Sequence, residues 1–267
     1  MHELAFVFAG FAVGLIVGLT GVGGGSLMTP ILIFFFGIKP HMAVGTDLLF
    51  AAFTKMGGTV SLARQRLVPW KVVGQLCAGS IPAALLALWA LHTLGPASAT
   101  AQRIMTTTLG FALLLTAAAT LYKAIVFSAQ RQAAQIAARK AHTGDATRPR
   151  HWSLPVLLGA VIGTLVTFTS VGAGAIGVTV LLLVYPLLPL PRIIGADIAY
   201  AVPLTLVAGL GHASLGSVDW PLLAQLLAGS LPGIWLGSRL VTRTPERLIR
   251  SALSLLLAWA GFKLILI

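Results

Sequence analysis

Charge is scarce in this chain. Lys, Arg, Asp and Glu make up 9% of its 267 residues, and only six residues are acidic. A soluble domain carries about 25% charged residues, so a water-soluble globule is excluded. There is one cysteine, Cys77. It excludes an internal disulfide and, lying in an apolar stretch, reads as a core residue. No His, Cys, Asp or Glu cluster has metal-ligand spacing, so neither a metal nor a cofactor is expected. The start, Met1-His2-Glu3-Leu4, has no basic n-region and no small-residue cleavage site follows. It reads as part of the fold rather than as a signal peptide.

Apolar sequence is abundant: 57% of residues are hydrophobic and the mean hydropathy is +0.95. The expected class is an all-α polytopic membrane protein whose first partner is the lipid bilayer. The formal charge of +12 could suggest nucleic acid. The basic residues instead cluster between apolar segments, as in cytoplasmic loops, and no nucleic-acid partner is expected.

One stretch organises the rest. Thr20-Gly21-Val22-Gly23-Gly24-Gly25-Ser26-Leu27-Met28-Thr29-Pro30 breaks a long apolar run. Glycine costs about 1 kcal/mol relative to alanine in a helix, so a helix should end near Thr20 and another start near Ser26. Pro30 fits the first turn of the new helix. The break recurs 149 residues later as Ser170-Val171-Gly172-Ala173-Gly174-Ala175. Matched, interrupted apolar segments in two halves point to a transporter's binding site.

The apolar segments run 4–19 and 27–36, then 41–63, 72–94 and 104–123. After a basic stretch they restart at 154–169 and 176–186, then 193–213, 222–240 and 248–266. The pieces beside each break are too short to cross a hydrocarbon core of about 30 Å comfortably. Val44-Gly45-Thr46-Asp47 is answered by Ile194-Gly195-Ala196-Asp197. Trp70 and Gln75-Leu76-Cys77-Ala78-Gly79-Ser80-Ile81-Pro82 are answered, at an offset of 150, by Trp220 and Gln225-Leu226-Leu227-Ala228-Gly229-Ser230-Leu231-Pro232. The expected organisation is a first transmembrane repeat at 1–124, a basic cytoplasmic linker at 125–152 and a second repeat at 153–267.

Loop charge sets the orientation. Arg64, Arg66 and Lys71 place the loop near 67 inside, and the linker and the arginines at 239–250 should also be inside. Segment 154–186 then begins and ends inside, as a hairpin of two short helices. By the same count the first hairpin begins and ends outside. Fourteen of the 18 Lys and Arg fall inside. A simple eight-helix count would put the 239–250 arginines outside and is rejected. Loop 64–71 is basic and its counterpart 214–221 is not, so the two repeats should be inverted, with about five helical segments each. Substrate would bind near the midplane where they meet.

The motif Gly-Val-Gly-Gly-Gly-Ser at 21–26, Val44-Gly45-Thr46-Asp47, Ala78-Gly79-Ser80-Ile81-Pro82 and their second-half echoes resemble the TauE/SafE sulfite exporter family, over about residues 5–265. The resemblance implies a permease for small anions, with sulfite and organosulfonates as the family's best-known substrates. It implies a multi-pass protein of the bacterial inner membrane. In the second motif Ala175 stands in the place of Ser26, so the two tips should not bind a ligand identically.

Several residues are candidates for the chemistry. Gly23, Gly24 and Gly25 leave N–H groups free where a half-helix dipole favours an anion, as do Gly172, Ala173 and Gly174. Ser26 and Thr29 could add hydroxyl donors. Close helix packing is the structural alternative for the glycines. Lys55 sits mid-segment, where a charge costs about 2.5–3.5 kcal/mol on insertion scales. It either neutralises a substrate anion or forms a structural pair with an aspartate. Asp47 and Asp197 are candidates to carry a proton or a coupling cation; the slightly preferred alternative is that each satisfies a helix N-terminus. Gln75, Ser80, Gln225 and Ser230 flank Pro82 and Pro232, which should kink their helices. They either line the path or pack, and packing is favoured. His212 and Tyr200 read as interfacial or hydrogen-bonded helix residues.

The function these features favour is a secondary transporter of a small anion such as sulfite, an organosulfonate or a carboxylate, with a proton or cation as coupling partner. An intramembrane enzyme would rest on Ser26 with the distant His212 and no orienting acid, so an enzyme is not expected. A passive anion channel leaves Lys55 and the repeat unexplained. Homo-oligomerisation, direction and the identity of the anion are left open.

Overall fold

The structure is a computed structural model that describes residues 2–20, 25–126, 153–172, 174–185, 187–240 and 246–265. Residues 21–24 and most of the linker expected at 125–152 lie outside that set. The described residues form ten α-helices. The first five are α1 (His2–Thr20), α2 (Gly25–Phe36), α3 (Pro40–Arg64), α4 (Trp70–Leu94) and α5 (Ala99–Val126). The second five are α6 (Ser153–Thr169), α7 (Ala175–Val184), α8 (Leu190–Ser214), α9 (Trp220–Leu240) and α10 (Glu246–Ile265).

Local chemistry accounts for the helix ends. Pro40 starts α3, where a missing N–H costs nothing. That helix ends through Arg66, at a φ of 56°, with the Leu67 N–H donating to the Leu62 carbonyl at 3.0 Å. The second half repeats the stop 150 residues later. Gly216 has a φ of 68°, and the Ser217 N–H donates to the His212 carbonyl at 2.9 Å. These are left-handed C-terminal caps, for which glycine is the unstrained choice. Pro30 sits in the second turn of α2 rather than the first, so α2 lacks one backbone donor just inside its start. Pro82 and Pro232 lie within continuous helices, with exposed rings.

The first two helices fold back on each other, with the Phe6 and Phe36 rings 4.6 Å apart between centroids. α2 and α7 have 12 and 10 residues, about 18 and 15 Å long. Neither spans a bilayer alone. Trp70–Leu94, Ala99–Leu121 and Leu190–Ser214 are each long and apolar enough to do so.

The main packings come in matched sets with the halves exchanged. α1 lies along α9, and α6 lies along α4. Gly10 abuts Leu226 and Gly14 abuts Ser230; their counterparts Gly159 and Gly163 abut Leu76 and Ser80. Numbers rise together in both pairs, so these helices are parallel. The helices equivalent by the repeat also pack on each other: α3 on α8 and α5 on α10. Gly45 meets Ser217 and His212, Gly209 meets Leu49, and Gly58 meets Ile198. Numbers therefore run in opposite senses along α3 and α8, which are antiparallel.

The core follows this exchange. One apolar cluster joins Leu76, Ala84 and Leu91 of α4 to Ile162, Val166, Leu181 and Leu204. The other joins Val13, Met28, Leu32 and Phe50 to Leu222, Leu226 and Leu257. Neither half closes a core without the other. Outward, Phe8, Leu86, Trp89, Leu183, Trp235, Leu255 and Trp259 are exposed, as expected where the solvent is hydrocarbon. Repeat-matched Trp70 and Trp220 open α4 and α9 and are also exposed, the kind of site where tryptophan anchors to a membrane surface.

Candidate functional site

Each repeat-matched aspartate reaches the short helix that follows the glycine break of its own half. Asp47 and Asp197 are both the eighth residue of their helices, α3 and α8, so neither lies in the first turn. Both are buried. Thr29 of α2 donates its hydroxyl hydrogen to Asp47 Oδ2. Asp197 packs on Gly177 in the first turn of α7, where a Cβ would fall 2.0 Å from Oδ1. A side chain at 177 would collide with the carboxylate in this position.

Lys55 lies two turns beyond Asp47 on α3 and is 9% exposed. Its ammonium interacts electrostatically with Asp197 first and Asp47 second. Antiparallel packing explains this: Thr59 Oγ1 donates to the Ile198 carbonyl at 3.5 Å, so α8 brings its aspartate alongside the middle of α3. Tyr200 is fully buried one turn from Asp197 and faces it electrostatically; its hydroxyl has no hydrogen-bond partner.

Ser170 completes the cluster from the second break. It caps α6 at a φ of 58° and is 5% exposed. Its side chain lies against the Asp47 carboxylate, although neither Ser170 Oγ nor Asp47 Oδ1 has a hydrogen-bond partner of good geometry. The first half thus supplies Thr29, Asp47 and Lys55. The second supplies Ser170, Asp197 and Tyr200. These six side chains lie where the halves meet.

Other candidates are placed differently. Gly23, Gly24 and Ala173 lie outside the described residues. Gly25 and Ser26 open α2. Gly172 and Gly174 have φ values of 131° and 138°, which side-chain-bearing residues rarely adopt. Their carbonyls accept from the Gly177 and Val178 N–H groups at 3.0 and 3.1 Å, starting α7. Gln75 accepts the Tyr185 hydroxyl hydrogen at 2.8 Å. The Ser80 and Ser230 carbonyls meet Gly163 and Gly14 along the helix seams. Gln225 is half-buried on the same helix as Ser230. These four are not part of the six-residue cluster. His212 is fully buried with Nε2 3.0 Å from the Thr167 carbonyl oxygen, and Cys77 is half-buried and packs against the first core cluster.

Sequence reasoning missed Ser170 and Gly177. Ser170 carried one signal: it stands where the first break has Gly21, a side chain in a place the repeat fills with none. Gly177 carried none, because its role depends on a carboxylate arriving from α8.

Comparison with known proteins gives the family. The family model "Sulfite exporter TauE/SafE" matches residues 6–264. A Bacillus subtilis protein described as "Probable membrane transporter protein YjnA" is 35% identical, with 98% of this chain and all of that protein aligned. "Probable membrane transporter protein YdhB" of the same organism is 27% identical over 96% of this chain and 97% of its own. No solved structure matches the chain. An all-helical integral membrane transporter and not an enzyme, the chain belongs to the TauE/SafE sulfite exporter family.

Proposed function

We propose that the protein is a secondary transporter of a small anion, with sulfite, an organosulfonate or a related sulfur-containing or carboxylate anion as substrate. Its expected location is a bacterial inner membrane. The observation that carries this reading is Lys55, a buried cation that interacts with aspartates of both halves. A dehydrated anion needs fixed positive potential. The ammonium supplies it, with the N–H groups and dipoles at the starts of α2 and α7. The first hairpin's tip at Gly23 to Ser26 and the second's at Gly172 to Gly174 are the proposed walls of the site.

The two repeats are proposed to sit inverted across the bilayer. Antiparallel packing of the equivalent helices α3 and α8 supports this, together with the loop-charge pattern. Rocking one half against the other would then open the site alternately to each side.

Purified protein in liposomes tests the reading. Flux of sulfite, sulfate, thiosulfate, organosulfonates and carboxylates would be measured down a gradient. Saturable flux of at least one, lost in Lys55→Gln, is the expected result. No flux of any anion above empty vesicles would sink the proposal. Flux that never saturates would point to a passive channel.

A further inference from the structure

We propose that the anion is transported together with a proton, and that Asp47, facing Ser170 across the boundary between the halves, carries it. This rests on the anion-transporter reading and adds the coupling ion and its carrier.

The first argument is a charge count. Lys55 is the one cation of the six-residue cluster and Asp47 and Asp197 its two acids, all buried. With every group ionised the empty cluster is already one unit negative. An anion entering it would meet net repulsion where the surroundings screen charge poorly. One proton on one carboxylate makes the empty cluster neutral, so the anion and the proton favour each other's presence.

The second argument selects the carboxylate. Asp197 has the nearer claim on Lys55. It also lies against the first turn of α7, where the helix dipole favours negative charge. Asp47 ranks second for Lys55. Its helix partner, Thr29, is in the second turn of α2. The groups facing Asp47 are Lys55 on its own helix, Thr29 from α2 and Ser170 from the α6–α7 break. Asp197, with Tyr200 beside it, lies across on α8. Asp47 Oδ1 and Ser170 Oγ are both buried and both lack a hydrogen-bond partner. The Ser170 hydroxyl can pair with Oδ1 in either state, donating to the carboxylate or accepting from the acid, so the contact accommodates a proton that comes and goes.

The third argument is the origin of the partners. Thr29 and Asp47 belong to the first half and Ser170 to the second. Relative motion of the halves separates Ser170 from Asp47 while Thr29 stays bonded. Opening the site then changes what faces Oδ1, and with it the proton affinity of Asp47 on that side. Ser170 has no counterpart for Asp197, because Gly21 takes its place.

Two measurements test this. In the first, liposomes clamped at zero membrane potential are loaded with isethionate or sulfate, whose charges do not change across mildly acidic to mildly alkaline pH. A trapped dye reads internal pH. Protons are expected to move with the anion, and a pH gradient alone should drive anion accumulation. Any flux remaining in Asp47→Asn should carry no protons, whereas flux remaining in Asp197→Asn should still carry them. Anion flux without proton movement in the parent, or coupling lost in Asp197→Asn but kept in Asp47→Asn, overturns the proposal. The second measurement needs no transport. Infrared spectroscopy should show a buried carboxylic-acid C=O band at neutral pH that is absent in Asp47→Asn and shifted in frequency in Ser170→Ala. A band that persists in Asp47→Asn and vanishes in Asp197→Asn also overturns it. A parent that moves no anion yet shows the Asp47 band would refute the anion reading and leave the proton assignment standing.

Discussion

The backbone carbonyl oxygen of Val156 lies 1.8 Å from where a Cβ on Gly79 would stand. The same approach recurs between Val7 and Gly229, at 1.9 Å. These glycines are the centre of the repeated Ala-Gly-Ser-x-Pro segment, and the obstacle in each case is backbone, which cannot rotate away. Each seam joins helices from opposite halves.

Gly79→Ala and Gly229→Ala should therefore each force α4 from α6, or α9 from α1. The expected loss is about 1–3 kcal/mol, the usual range for overpacking, seen as a lower unfolding temperature in detergent. Gly74→Ala, where a Cβ meets nothing within 4 Å, is the control and should be close to neutral. Equal behaviour of Gly74→Ala and Gly79→Ala would mean the seam is not tight.

The repeat was legible because it is written in residue types that packing and backbone shape demand. Gly79 and Gly229 admit a neighbouring helix, and Gly172 and Gly174 hold positive φ. Asp47 and Lys55 announced themselves because charge in an apolar segment is costly. Pairing between elements was not legible. Thr29 with Asp47, Ser170 with Asp47 and Gly177 with Asp197 all join residues that lie on different helices, and no local pattern encodes such contacts. The end of α3 shows the same limit: Arg66 takes a left-handed conformation that its letter does not suggest, while Gly216 at the matching place does.

The contact of Gly177 with Asp197 gives a second prediction. Gly177→Ala would put a methyl group 2.0 Å from the Asp197 carboxylate oxygen, so the carboxylate or α7 must shift. Thr29→Val acts on the other aspartate by removing the donor to Asp47 Oδ2. Leaving a buried acceptor unmet costs about 1–3 kcal/mol. Both variants should reach the membrane yet transport poorly, and both should unfold at lower temperature than the parent. Transport at the parent rate by Gly177→Ala would show that the position of Asp197 does not matter to function.

Orientation can be tested without knowing the substrate. In a Cys77→Ser background, Asp145→Cys in the linker should react with an impermeant maleimide only from the cytoplasmic side. Ala97→Cys, exposed between α4 and α5, should react only from outside. The motive for this expectation is the placing of fourteen of the 18 basic residues on one side. Labelling of residue 145 from outside alone would invert the topology.

Substitutions at Lys55 test the proposed anion site. At 9% exposure and with Asp197 and Asp47 as electrostatic neighbours, it serves either the substrate or the fold. If it makes a charge-assisted bond to the anion, Lys55→Gln should weaken binding by about 1.5–3 kcal/mol, or roughly 10- to 150-fold in Kd. Lys55→Arg should also bind less well, because a planar fork replaces a compact charge in a confined space. A purely structural lysine predicts otherwise. Removing it strands two buried carboxylates, so Lys55→Gln should lose stability first, and Lys55→Arg should restore both stability and binding. Calorimetric titration of the folded variants, paired with their unfolding temperatures, separates the cases. Gly24→Val, in the first glycine break of the sequence, supplies the complementary arm. If Lys55→Gln binds like the parent while Gly24→Val does not, backbone N–H groups alone hold the anion. If neither substitution changes binding, the anion does not sit between the breaks.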